Sequence, residues 1–409
     1  MVEMKKYKLG DLGKIVTGKT PRTSIEENYG GDIPFITPSD DLSVKDIREV
    51  SKKITELGLK EVKNCLLPPR SICVSCIGSD MGKVVMTSVP SVTNQQFNSI
   101  IPNESFDADY IYYLMISIGQ QMKNKLGKQS TAVPIVSKSQ FSDIDVSIIC
   151  DIKDQKKVSS VLSSIDNRIE NLRAQNRVLE QTAKTIYDYT FLQCAGHQTT
   201  YNKTLNRNIP ADWEVKKLGD CLASISTGLN PRQNFTLGNG FIKYITVKNL
   251  TLDGSIDYSG CDFIDENARA KVHKRSNIKV GDILFASISP LGRCYLIQEK
   301  PEDWDINESV FSISPADFTT SYYLYSFLRS KEFVAKAEQR ATGSIFLGIR
   351  VDTLKKMEVL WPDSKTLGKF NALIEPIFKK QLVNTKQIET LITQRNTLLP
   401  LLMTGQIEV

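Results

Sequence analysis

The chain has 409 residues, too many for one ordinary domain, and its length sets an expectation of two or three. With 41% hydrophobic and 24% charged residues and a mean hydropathy of −0.22, it has material for a proper core. No run of 18 apolar residues is present, which excludes a helical membrane span. The net charge of +6 suits a nucleic-acid partner without demanding one.

In chain order, residues 1–150 open with charged residues and no apolar signal-peptide core. They continue as short apolar runs broken by Gly, Pro and Asn. Ile33–Thr37 and Ser71–Ile77 have strand length and turn-forming flanks. A short amphipathic helix is predicted over Tyr110–Lys125.

Residues 151–193 then form a long segment without glycine. In it Val158, Leu162, Ile165, Ile169, Leu172, Asn176, Leu179, Ala183, Ile186 and Thr190 alternate at spacings of four and three. That is the inner seam of a coiled coil, and an isolated Asn such as Asn176 fixes register in such a seam. A lone amphipathic helix has a period of 3.6 and drifts off this pattern within about three heptads.

Residues 194–208 are polar and read as a linker. Residues 209–363 return to strand-length runs, Phe241–Val247 and Asp282–Ile288, and to a helix over Tyr322–Gln339. Residues 364–409 carry a second long helix, Ser364–Met403, and a tail. Ile374, Phe378, Thr385, Ile388, Ile392 and Leu399 hold its seam, Gln381 and Arg395 interrupt it, and Pro376 is expected to kink or restart it. About 40 helical residues make a rod of roughly 60 Å. The expected fold is α+β: two similar mixed domains joined by two long antiparallel coiled-coil helices, related by an internal pseudo-twofold duplication.

The duplication rests on residues that return in order after about 210 positions, far longer than any solenoid unit. Leu9-Gly10-Asp11 returns as Leu218-Gly219-Asp220, and Thr17-Gly18 with Pro21-Arg22 as Thr227-Gly228 with Pro231-Arg232. Ile36-Thr37 returns as Ile245-Thr246, Gly82-Lys83 as Gly292-Arg293, and Tyr112-Tyr113-Leu114 as Tyr322-Tyr323-Leu324. Asn94, Ile100 and Pro102 return as Asn307, Ile313 and Pro315.

Two motifs invite chemistry, and the repeat argues against both. Gly13-Lys14-Ile15-Val16-Thr17-Gly18-Lys19-Thr20 fits the phosphate-loop pattern. That pattern works only between a buried strand and a helix N-terminus, whereas Lys5–Leu12 is highly charged and Pro21 disfavours a helical Thr20. Its counterpart, Thr227-Gly228-Leu229-Asn230-Pro231-Arg232, lacks Lys and Thr. Cys73 and Cys76 form a lone Cys-x-x-Cys pair, and their counterparts Phe285 and Ile288 are apolar strand residues, so core thiols explain them. The eight cysteines read as free thiols of a reducing cytoplasm. The two histidines, His197 in the linker and His273 in a basic stretch, leave little for a catalytic triad or a metal site. No catalytic residue, metal ligand or cofactor site is assigned to this chain.

Basic and polar residues in turns do recur. Lys19 and Arg22 are mirrored by Arg232, Lys83 by Arg293, and Lys128-Gln129-Ser130-Thr131 by Arg340-Ala341-Thr342-Gly343-Ser344. With Lys248 and Arg350 these form the candidate DNA-contact set. Arg and Lys suit phosphates and guanine, and Gln suits adenine.

The two-half plan resembles the specificity subunits of type I restriction–modification systems over essentially the whole chain. The likeness is carried by Ile209-Pro210-Ala211-Asp212-Trp213-Glu214-Val215-Lys216-Lys217-Leu218-Gly219-Asp220, by Gly30-Gly31-Asp32-Ile33-Pro34-Phe35-Ile36, and by Leu401-Leu402-Met403-Thr404-Gly405-Gln406-Ile407. The first half departs from it by lacking an Ile-Pro-x-x-Trp lead-in. The resemblance implies two target-recognition domains, each reading one half of a split asymmetric site in double-stranded DNA, with the helices as spacer ruler. It also implies methyltransferase subunits docked on the helices and restriction/translocase subunits in the same assembly. S-adenosylmethionine, ATP and Mg would sit on those partners. The competing reading is a coiled-coil scaffold with two similar ligand-binding domains outside restriction systems, which DNA affinity at low salt distinguishes.

Overall fold

The computed structural model describes residues 3–78, 81–126, 135–343 and 347–407. The chain divides into two compact units: residues 1–173 with 385–409, and residues 174–384. Each long helix therefore gives part of its length to each unit.

In the first unit the elements run β1 (Met4–Lys8), β2 (Gly13–Thr17), β3 (Tyr29–Ile36), β4 (Asp46–Ile47), β5 (Lys53–Ile54), α1 (Glu56–Glu61) and β6 (Ile72–Ser75). They continue as β7 (Val84–Thr87), β8 (Val92–Thr93), β9 (Phe97–Pro102), α2 (Ala108–Leu126), α3 (Lys138–Ser142), β10 (Asp145–Ile149) and the start of α4 (Ile152–Tyr187). The main sheet has the order β2-β9-β6-β7-β4, a smaller sheet the order β5-β3-β8, and β1 pairs with β10. The predicted runs Ile33–Thr37 and Ser71–Ile77 are strands β3 and β6. In β6 four successive side chains are buried, because the sheet is covered on both faces.

In the second unit α4 passes into a π-helical turn, Asp188–Leu192. There follow β11 (Thr199–Asn202), β12 (Arg207–Pro210), β13 (Glu214–Lys217), β14 (Leu222–Thr227), β15 (Ile242–Ile245), β16 (Asp262–Ile264), α5 (Glu266–Ser276) and β17 (Ile283–Ala286). Then come β18 (Cys294–Leu296), β19 (Trp304–Ile306), β20 (Val310–Pro315), α6 (Ser321–Leu328), α7 (Lys331–Arg340), α8 (Val351–Lys355), β21 (Glu358–Trp361) and α9 (Ser364–Met403). The sheets have the orders β14-β20-β17-β18 and β16-β15-β19, with β13 paired to β21. This repeats nine strands of the first unit in the same pairings; β4 has no counterpart among the described residues, and the β11–β12 hairpin is additional. Even the one parallel pair of each small sheet, β3 with β8 and β15 with β19, is preserved.

Several expectations change. Pro376 neither breaks nor restarts the second long helix, which is continuous over Ser364–Met403. The proline is exposed while Ile374 and Phe378, on either side, are buried, so packing outweighs one lost backbone hydrogen bond. The helix predicted over Tyr322–Gln339 is two helices, because the Ser330 hydroxyl accepts from the Phe333 amide and starts α7. The polar stretch 194–208 carries most of the β11–β12 hairpin. Leu205 and Ile209 are buried, and Arg207 donates to the Phe191 and Leu192 carbonyls, satisfying the end of the π turn. At this end of α4 the predicted seam residue Ala183 is buried together with Tyr187 and Phe191, while Ile186 and Thr190 are half-buried.

Candidate nucleic-acid interface

Strand register gathers the candidate turns. In the first unit Thr17 pairs with Asn98 and Ser75 with Phe97, while Val74 pairs with Val84. The exit of β2, the entry of β9 and the β6–β7 connection therefore lie on one edge of the main sheet. They carry Lys19 and Arg22, Gln95, and Lys83 in turn, and all four residues are exposed. The Cys76 amide donates to the Gln96 carbonyl (2.8 Å), tying two of these turns together. In the second unit Thr227 and Phe285 both pair with Phe311, and Phe285 with Cys294. The same edge there carries Arg232 and Arg293.

The turn shared by both halves is held by its glycine. A Cβ on Gly18 would lie 2.1 Å from the Asn94 carbonyl oxygen, and one on Gly228 only 1.7 Å from that of Ile306. Close backbone approach, not phosphate binding, requires these glycines. Gly13–Thr17, the body of the phosphate-loop match, is itself strand β2.

The two Pro-Arg arginines differ. Arg22 donates from Nε (2.9 Å) and Nη2 (2.7 Å) to Glu61 Oε1, and its backbone amide meets Oε2. Glu61 is thereby held down at a pKa of about 2. Arg232, in the left-handed region at φ 23°, has no partner among the described residues. Arg293 is half-buried and donates to the Pro290 carbonyl, and burial lowers its pKa. Arg340 is paired with Glu358 at 3.2 Å, so it is a weaker DNA candidate than its sequence position implies. Lys248 is exposed in the turn after β15, where Asn249 Oδ1 accepts from the Thr246 amide. Arg350 is exposed just after Ile349, whose amide reaches the Ser287 carbonyl in the β17–β18 connection. Arg350 thus adjoins the segment that holds Arg293. Lys128 and Gln129 lie outside the described residues.

Sequence reading missed Gln95. Its amide oxygen accepts from the Thr20 hydroxyl (2.6 Å), which places beside Lys19 a side chain of the type that suits adenine. No residue of the second half matches it in type, so the repeat gave no signal. His273 is partly exposed, its side chain 44% accessible, and its Nδ1 is 3.0 Å from buried Asp305, which also accepts from Ser276 (2.6 Å). Burial raises the pKa of Asp305. Cys73 within β6 and Cys76 just after it are buried, and burial pushes the Cys73 thiol up to about 12.

Every residue of the predicted seam is buried or half-buried: Val158, Leu162, Ile165, Ile169, Leu172, Asn176, Leu179 and Ile186 on α4, and Ile374, Phe378, Ile388, Ile392 and Leu399 on α9. Within the first unit Val158 and Leu162 cluster with Leu399, Leu402 and Met403. Within the second, Tyr187 packs edge-on to Phe370. The start of one helix thus meets the end of the other, the antiparallel arrangement expected. The polar interruptions pair: Gln381 Nε2 donates to the Asn176 carbonyl (3.3 Å), Asn384 Nδ2 to Asn176 Oδ1 (2.9 Å), and Arg395 to Asp166 (2.9 Å).

Duplicated mixed domains with basic sheet edges, each seated on paired stretches of the long helices, are the arrangement of a two-site reader. The family model for the type I restriction modification DNA specificity domain matches residues 1–181 and 210–394, and the chain belongs to that family as a type I specificity subunit. It is 29% identical over 426 residues to the type I restriction enzyme MjaIX specificity subunit of Methanocaldococcus jannaschii, covering 98% of this chain and 93% of that one. It is 39% identical over 175 residues to the HindI specificity subunit of Haemophilus influenzae, covering 40% of this chain and 37% of that one. A type I restriction–modification S subunit from M. genitalium shares the fold, with a TM-score of 0.56 at 15% identity over 98% of this chain and 96% of that one. No helix among the described residues is long and apolar enough to cross a membrane.

Proposed function

We propose that each domain reads one half of an asymmetric, bipartite DNA site through its basic sheet edge. Lys19, Gln95 and Lys83 serve in the first domain, and Arg232 and Arg293 in the second. The observation that carries this reading is the recurrence of basic turns on the same edge of two homologous sheets. The long helices act as the spacer ruler and as the docking surface for methyltransferase subunits, which bring S-adenosylmethionine. Restriction/translocase subunits using ATP and Mg join the same cytoplasmic assembly. The chain contributes recognition and binds no cofactor.

The test is a methylome of cells carrying the full chain with its methyltransferase subunits. The expected motif has two unlike specified halves around an unspecified spacer. A continuous or palindromic motif contradicts the proposal. In the same complex, Arg232→Ala should weaken DNA binding and lower its salt dependence.

A further inference from the structure

The two domains rest on equivalent helix positions whose chemistry differs. Both long helices begin after an aspartate, Asp151 and Asp363, and their buried positions then coincide: Val158 with Phe370, Leu162 with Ile374, Asp166 with Phe378. At their far ends Ala183 matches Arg395, Tyr187 matches Leu399, and Phe191 matches Met403. The second unit therefore has Phe378 and Ala183 where the first has Asp166 and Arg395. Tyr322 stacks flat on Phe378 at 5.4 Å, and Tyr325 meets it edge-on at 5.3 Å.

The first unit fills the same place with a polar chain. Arg395 Nη1 donates to Asp166 Oδ1 (2.9 Å), and the Tyr113 hydroxyl of α2 donates to Asp166 Oδ2 (2.6 Å). Lys45, from the loop before β4, donates to Ser163 on α4 (2.8 Å) and pairs with Asp109 at the start of α2 (2.7 Å). Its ammonium also lies 4.9 Å from the Tyr113 ring centroid. The side chains of Lys45 and Asp166 are only 10% and 8% exposed. Buried ion pairs rarely add stability over apolar residues of the same volume, and the second unit shows that the fold accepts apolar ones here. What a directional network does supply is a single pose, because each of its bonds tolerates little rotation.

Resting on the half-site reading above, we infer that the Lys45–Asp109–Ser163 and Tyr113–Asp166–Arg395 contacts are a pose-setting joint. They fix the first recognition domain on its helices, and with it the spacer length the protein accepts. These are positioning residues; they read no base.

The test uses the full chain with its methyltransferase subunits and DNA carrying the methylome-defined site with the spacer native, one base pair shorter or one longer. The double variant Asp166→Phe, Arg395→Ala gives the first seat the residues of the second. It should fold as stably as the parent and keep both half-site preferences, while its preference for the native spacer falls roughly tenfold. Tyr113→Phe, which removes one hydroxyl, should shift the spacer profile in the same direction by less. An unchanged spacer profile in a folded variant, altered base preferences, or a double variant that cannot fold overturns the inference. If the parent complex itself ignores spacer length, it is the half-site reading that fails.

Discussion

The seats beneath the two recognition domains carry the same backbone and opposite solutions to filling it. The first domain is fastened through Asp166, Arg395 and Tyr113; the second rests on Phe378 and Ala183 and is fastened instead by Arg329. Arg329, the residue after α6, pairs with Glu180 (2.7 Å), lies over the Tyr325 ring at 5.0 Å and donates to the Leu252 carbonyl (2.7 Å). In the first domain two cations meet at the joint, Lys45 from a loop and Arg395 from α9; in the second the cation is Arg329, just after α6, and the long helix α4 supplies its acid, Glu180. At the matched positions a small acid faces a large base in the first domain, and a large aromatic faces a small apolar residue in the second, so both pairs fill the contact with different chemistry.

The sharpest way to break this comparison is to orphan the second joint. Glu180→Ala leaves Arg329 a buried cation without its acid and should cost about 3 kcal/mol, whereas Glu180→Met with Arg329→Met should be close to neutral. Calorimetry of the full chain reads both, and similar losses in the two variants would remove the claim that pairing matters there.

Tyr113→Phe in the first domain removes a hydrogen bond to a charged acceptor and should cost about 1.5 kcal/mol, with Asp166 still held by Arg395. Next in size is the contrast between the paired Pro-Arg arginines. Arg232→Ala should cost about 1 kcal/mol of DNA binding and reduce the salt slope by roughly one, and Arg22→Ala should cost less because Glu61 already neutralises it. Equal losses in titrations at several salt concentrations would set the Glu61 clamp aside.

The smallest effect is acid sensitivity. Glu61 titrates at about 2 in the folded chain against an ordinary 4.5, so its contribution is complete above pH 4.5 and is lost as the pH falls toward 2. Glu61→Gln should flatten that part of the unfolding curve for the first domain alone, since Arg232 has no such partner.

Much of the fold was legible because it is periodic. The heptad on α4 and the ordered repeats announced the helices and the duplication, and most strand pairs then matched between the units, β4–β7 and β11–β12 excepted. What stayed hidden was anything settled by a distant residue. Gln381 and Arg395 read as defects of one helix because Asn176 and Asp166, which satisfy them, lie in the other half of the sequence. The Asp305 partner of His273 stayed hidden because it lies 32 residues away and nothing local marks it. Pro376 looked disruptive because propensity does not register the burial of Ile374 and Phe378 around it. At the candidate site, recurrence pointed to Lys19, Lys83, Arg232 and Arg293, whereas Gln95 required the sheet register to be found. The acid beside Arg340 was equally invisible, because it arrives with β21.

The division of the chain also sets an order of events during synthesis. The second unit is one unbroken stretch, 174–384, and all its parts are available once that stretch has emerged from the ribosome. The first unit needs residues made nearly at the beginning and others made after position 384, among them Arg395, Leu399 and Leu402. Its core therefore waits, with Val158 and Leu162 uncovered, until the later partner is complete. A premature stop shortly after residue 384 should spare the second domain and injure the first, although the latter was translated long before.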